Sequence, residues 1–325
     1  MDTFTVVLNL FELEIGTTLF VFGDEMLTLT SQEIRTETQR VAFTFAKTFL
    51  RGAAAILRIT FRGSLQSFPE YYKSEWINQG KAEHYSATFL ELTYARRVLP
   101  CWDEPALKAM FAVSPISRVE TVNLSNMPSF LRVATPNLIA QAEFSVNLVT
   151  HVLPLLEQMF DLEYPLPKMD ILNTTGALGA LENWGLVVGE PNVFWFNPAK
   201  DSTATQKHMV DITSHELAHQ WFGNIVTMEW WDNLVCHAPG RYHLRFFSLC
   251  LRVRDDTEMY IYSTDKLYPE WNTAAAVVNG TFKIALNVDA RLSSHPVQLE
   301  CPDANHVNEV PLERFPSFFE VNIEC

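Results

Sequence analysis

Up to about Ser129 the chain reads in short β-rich runs. One of these, ILRITF (Ile56 to Phe61), is stopped by Arg62-Gly63-Ser64, a turn signal. No sustained helical period interrupts this stretch, so it predicts strands. The pattern changes at Thr135-Pro136, which has the form of a helix start. Beyond it Ala142, Val146, Val149, Val152, Leu153, Leu156 and Phe160 recur at helical spacing, which gathers apolar side chains on one face. This predicts an amphipathic helix running to about Tyr164, kinked at Pro154 and ended before Pro165. A second helix is predicted from Ser202, whose hydroxyl can cap a first-turn N–H, to Gly223 as its C-terminal stop. Internal repeats and low-complexity tracts are absent from the sequence. The elements predict an α+β chain, with a β-rich portion over 1–134 followed by an α/β portion over 135–325.

Composition narrows the class. A chain of 325 residues with 48% hydrophobic and 19% charged positions can bury a substantial core. Its net charge of -14 argues against a nucleic-acid partner and favours small cationic ligands, of which a peptide's N-terminal ammonium is one. Five cysteines, Cys101, Cys236, Cys250, Cys301 and Cys325, are scattered without metal-type pairing, which fits a reducing compartment. The opening MDTFTVVLNLFELEIG has no basic n-region, and Glu12 and Glu14 interrupt its apolar run, so neither a signal peptide nor a transmembrane segment is expected. Glycosylation-type triplets at Asn123, Asn173 and Asn279 point weakly the other way. The expected location is cytoplasmic.

The most informative text lies in the second helix. HELAHQWFGN, His215 to Asn224, contains His-Glu-x-x-His. Residues four apart share a helical face, so the imidazoles of His215 and His219 can reach one ion. Glu216 stands about a hundred degrees further round the same turn, where its carboxylate can address a water on the metal rather than the metal itself. That is the arrangement of a hydrolytic zinc site, with Glu216 taking the water's proton and passing it to the leaving amine.

HELAHQWFGNIVTMEWWDNL (His215 to Leu234) resembles the active-site text of the aminopeptidase N and puromycin-sensitive aminopeptidase family. Upstream, GALENWGLV (Gly179 to Val187) resembles that family's exopeptidase motif, normally Gly-Ala-Met-Glu-Asn, with Leu181 in the methionine position. Further matches are ARRVLPCWDEPALKAMF (Ala95 to Phe111), LSNMP (Leu124 to Pro128), YPLPKMD (Tyr164 to Asp170) and SSHPVQL (Ser293 to Leu299). The resemblance implies a β-rich N-terminal domain followed by a thermolysin-like α/β metallopeptidase domain. It implies one zinc ion on His215 and His219, Glu216 as catalytic base, and a substrate-binding strand of Gly179, Ala180, Leu181, Glu182 and Asn183. Backbone groups of that strand would pair with the substrate as an added strand does. Glu182 would bind the free α-amine through a charge-assisted hydrogen bond. Trp102, Asp103 and Glu104 are family-like as well and are expected to be structural.

The sequence also departs from the family. The third zinc ligand, a glutamate, is expected nineteen residues after His219, where this chain has Ala238. Pro239-Gly240 would break the helix that presents it, and His237, one helical step away, would face elsewhere. Two histidines alone should hold zinc weakly. The family's oxyanion-stabilising tyrosine is expected beyond Val307-Asn308-Glu309, and the text PLERFPSFFEVNIEC after Val310 contains none. Phe89 stands where a substrate-strand glutamine is expected, and GEP (Gly189 to Pro191) replaces Tyr-Arg-Glu. Both domains are therefore expected to be incomplete, the first lacking several strands and the second its C-terminal end, as skipped exons or a faulty gene model would leave them. The expected activity is zinc-dependent release of N-terminal residues from peptides with a free N-terminus, at a reduced rate. A non-catalytic relative that binds peptide N-termini or a partner protein is the alternative, and a chain that does not fold stably is a third.

Overall fold

Alternating runs at the N-terminal end form strands β1 (Thr3–Asn9), β2 (Glu14–Phe22), β3 (Glu25–Leu27), β4 (Leu29–Arg35), β5 (Arg40–Phe49) and β6 (Ala55–Arg62). They make two antiparallel sheets, ordered β1-β5-β4 and β3-β2-β6. The expected strand ILRITF is the body of β6, which ends at Arg62 before Gly63. Two further strands, β7 (Tyr71–Asn78) and β8 (Lys81–Thr88), pair with each other. The computed structural model describes residues 3–49, 52, 54–64, 71–78, 80–90, 93–108, 129–133, 139–173, 179–230 and 253–277. These fall into two compact units, the first from the described residues of 1–75 and 84–112, the second from those of 76–83 and 113–299.

In the first unit, period-two alternation along β5 sends Val41, Phe43 and Phe45 into the core, where Phe20 and Leu27 of the other sheet meet them. Phe20 stacks on Phe45 with centroids 4.5 Å apart. A one-turn helix, α1 (Ala95–Val98), and the residues after it close this unit. Cys101 forms a two-way backbone bridge with Asn9, the Trp102 indole N–H donates to the Val7 carbonyl at 2.9 Å, and the Asp103 N–H donates to the Asn9 side chain. The Cys-Trp-Asp text therefore satisfies the outer edge of β1, which would otherwise be open to pairing with another chain. Burial, with Asp103 adding to it and Arg96 opposing, pushes the Cys101 thiol up to about 12, so it stays protonated and inert at neutral pH.

The second unit carries a four-stranded sheet, ordered β11-β12-β10-β9. Its strands are β9 (Ser129–Val133), β10 (Lys168–Asn173), β11 (Ala180–Leu181) and β12 (Leu186–Gly189). β9, β10 and β12 run parallel, and β11, antiparallel on β12, is the edge strand among the described residues. The helices among the described residues are α2 (Glu143–Phe160), the single turn α3 (Pro191–Phe194), α4 (Thr203–Ala218), α5 (Val253–Leu267) and α6 (Thr273–Val277). One core joins Val149, Val152 and Leu156 of α2, Met169 and Val187 of the sheet, and Leu217 of α4. The fold is α+β.

Both predicted helices end earlier than expected. α2 contains Pro154 but stops at Phe160, because Asp161 adopts the left-handed conformation at φ 50° and its N–H returns to the Glu157 carbonyl. Tyr164 lies beyond the helix, its N–H bound instead to the Glu157 side chain. The described part of this region begins with a tight turn over Ile139–Ala142, and Thr135-Pro136 is outside the described residues. α4 ends at Ala218 rather than Gly223. Asn173 is buried, and its amide nitrogen donates to the Gly189 and Glu190 carbonyls while its oxygen accepts from the Trp195 indole. That triplet is therefore closed to glycosylation, and Asn123 and Asn279 lie outside the described residues. Among the described residues no helix is long and apolar enough to cross a membrane.

Gly189 supports β12 through the absence of a side chain. A Cβ there would sit 2.4 Å from the ring of Phe194, which is buried in the core. Gly189→Ala is expected to cost about 1–3 kcal/mol, measured as a lowered midpoint in urea. An unchanged midpoint would show that Phe194 has room to turn.

Candidate active site

α4 is well specified locally. The Ser202 hydroxyl accepts from the Thr205 N–H at 3.2 Å, capping the first turn as expected. Met209, Val210, Thr213, Ser214 and Leu217 are buried along it, which leaves little freedom in how its last turn is placed. That turn carries His215 and the buried Glu216, and His219 is the residue capping the C-terminus. His219 keeps helical dihedrals, and its N–H donates to the His215 carbonyl at 3.1 Å. The four-residue relation between the imidazoles thus survives although the helix is shorter than expected.

The two Nε2 atoms approach to 2.9 Å, with the rings edge to face. His219 Nδ1 lies 2.9 Å from the Phe222 carbonyl. A carbonyl oxygen can only accept, so Nδ1 donates and carries a proton, and in the neutral form of the ring this leaves the Nε2 lone pair facing His215. This is how a ligating histidine is usually held. Beyond His219 the chain winds more widely. The N–H groups of Asn224, Ile225 and Val226 donate to the carbonyls of His219, Gln220 and Trp221, each five residues back.

β11 and β12 are joined by a turn, Asn183 to Leu186, closed by the Leu186 N–H on the Asn183 carbonyl at 2.9 Å. Gly185 takes φ +82° in that turn, and a Cβ there would meet Leu166 at 2.9 Å. The turn delivers Glu182, largely buried, to the end of α4. Its Oε1 lies 3.7 Å from His219 Nδ1. Its backbone carbonyl accepts from Asn224 Nδ2 at 2.8 Å and from Gln220 Nε2 at 3.3 Å.

Residues 2–147 match the peptidase M1 N-terminal domain, and residues 144–237 match the peptidase family M1 domain. The chain belongs to peptidase family M1. Its relatives include the alanine/arginine aminopeptidase of Saccharomyces cerevisiae, 31% identical over 80% of this chain and 34% of that protein. The mitochondrial aminopeptidase 2 of the same yeast is 30% identical over 94% of this chain and 35% of its own length. Aminopeptidase M1-A of Oryza sativa subsp. japonica is 29% identical over 78% and 32% respectively. The chain spans about a third of the length of these relatives. Peptidases of the family are generally zinc-dependent.

The structure brings His215, Glu216, His219 and Glu182 into one neighbourhood within the second unit. Gly179, at φ +69°, has its carbonyl bound by the Glu190 N–H. Ala180 and Leu181 form β11, the edge strand among the described residues, and Asn183 is exposed. Among the described residues no group of three or more His, Cys, Asp or Glu could hold a metal ion. Ala238, His237 and Pro239-Gly240 lie outside the described residues, and the family match stops at His237. Phe222, Gln220 and Asn224 join the site without being among the residues expected from the sequence. Gln220 was findable, since it follows Glu216 by one helical turn, whereas Asn224 comes after Gly223 in text without a helical period.

Proposed function

We propose that the chain is a metallo-aminopeptidase by descent, with His215 and His219 as zinc ligands and a ligand set left short by Ala238. The carrying observation is the 2.9 Å approach of the two imidazole Nε2 atoms at the end of α4, with His219 oriented by the Phe222 carbonyl. Nitrogen ligands held in this way suit zinc, which when bound supplies Lewis acidity toward water and a carbonyl oxygen. Glu216, one residue after His215, is the general base. It accepts a proton from the water whose oxygen attacks the scissile carbonyl carbon, and returns it to the nitrogen as the C–N bond breaks.

Glu182 receives the peptide's α-ammonium. Because β11 is the sheet's edge strand among the described residues, its outer side is where a peptide backbone can add. The substrates are peptides with a free N-terminus, which an acidic protein attracts. A cytoplasmic location agrees with the scattered cysteines. Alanine at the third-ligand position supports a second reading, in which the chain binds peptide N-termini without cleaving them.

Zinc content and hydrolysis of leucine p-nitroanilide separate the two. With zinc in excess, slow hydrolysis is expected, reduced by about 10²–10⁴ in Glu216→Gln. Hydrolysis unaffected by that substitution would remove the catalytic reading, and no zinc uptake at any concentration would leave the binding one.

A further inference from the structure

We infer that Gln220 and Asn224 are positioning residues that set Glu182 at a fixed distance from the two histidines. This rests on the reading of Glu182 as the amine anchor. Both side-chain amides donate to one atom, the Glu182 carbonyl oxygen, from 38 and 42 residues further along the chain. Two donors occupy both lone pairs of that oxygen, so its direction as well as its distance is determined. Gln220 is fully buried and also donates to the Glu216 carbonyl at 3.1 Å, which ties the base's backbone to the same group.

Both residues are also tied to His219. Gln220 follows it directly, and the Asn224 N–H donates to the His219 carbonyl at 3.1 Å. Glu182 is therefore referenced to the imidazoles through a single frame and does not depend on the two-residue pairing of β11 alone. An exopeptidase needs this, because the separation between amine anchor and attacked carbonyl decides which bond is reached. A displacement of about 1 Å can lower rate by about a hundredfold.

The test compares binding of leucinamide with that of N-acetylleucinamide to the full chain, followed by NMR titration. The variants are Asn224→Leu and Gln220→Met, near in shape but lacking donors, with Glu182→Gln as reference. Wild type is expected to prefer the free amine, Glu182→Gln to lose about tenfold or more of that preference, and each amide variant to lose about fivefold. Acetylated-ligand binding and the melting temperature of Asn224→Leu, a partly exposed position, should change little. Loss of affinity for both ligands alike would mark a purely structural role and overturn the inference. So would unfolding of both amide variants, or full preference retained in both while Glu182→Gln loses it. If wild type shows no preference, or Glu182→Gln keeps it, the anchor reading fails and takes the inference with it.

Discussion

Arg96→Met is expected to destabilise the first unit by about 3–5 kcal/mol, because it strands a carboxylate in the interior. Arg96 is 3% exposed, and the Asp103 side chain is 9% exposed. The guanidinium donates to Asp103 Oδ2 at 2.8 Å, to the Asp103 carbonyl at 3.0 Å and to Gln39 at 3.4 Å. The Arg96 backbone carbonyl accepts from Phe11. A single residue thus joins α1, the segment covering the edge of β1, and the turn before β5.

Burial already raises the pKa of Asp103 above its ordinary value, and the bonds and charge of Arg96 oppose that rise. Without Arg96 the carboxyl moves further up. A carboxyl raised in the folded state contributes stability below its unfolded pKa and loses it as pH rises through the folded value. The deficit of Arg96→Met should therefore be greatest at neutral pH and shrink on acidification from pH 7 toward pH 4. Urea unfolding at both pH values checks this, and Arg96→Met/Asp103→Leu should recover most of the loss. A deficit independent of pH would mean that lost packing, not the stranded charge, is the cause.

How much was legible in sequence follows from where each signal is stored. The strands of the first unit come from alternation that survives in single stretches, so β6 lies where ILRITF predicted it. α4 begins at Ser202 as expected because a cap is a local interaction between a hydroxyl and a nearby N–H. Helix ends were less legible. Asp161 stops α2 by taking a left-handed conformation that an aspartate's composition does not announce, and His219 ends α4 four residues before the glycine that looked like the stop. The His-Glu-x-x-His spacing survived that error because an i to i+4 relation needs only one turn. What sequence could not convey was the tie between Glu182 and the end of α4, made by two side-chain amides on a backbone carbonyl about forty residues away. Such a contact leaves no periodicity in either segment.

Restoring a glutamate at Ala238 alone should tighten zinc binding only slightly, whereas Ala238→Glu with Pro239→Ala and Gly240→Ala should tighten it by at least about a hundredfold. The bound rests on a comparison: disturbing only the groups that orient a zinc ligand costs 10–100-fold in affinity, so gaining a whole ligand should exceed that. A third protein ligand is needed to complete a catalytic zinc set, and it must be offered from a continuing helix. Proline after position 238 lacks the N–H that such a helix uses, and glycine after it weakens the next turn. A carboxylate placed there singly would therefore not be aimed at the ion. Competition with a chromophoric zinc chelator gives the affinities, and leucine p-nitroanilide turnover with and without Glu216→Gln gives the chemistry. Ligand and base act in one transition state, so their effects on turnover should not add. With zinc saturating, the Glu216→Gln penalty should be larger in the triple variant than in the native chain, where an incomplete ligand set would leave the base a poorly placed water to act on. Unmodified chain that turns over faster than about 1 per second, with that rate abolished by Glu216→Gln, would show that the site is complete without a ligand at position 238.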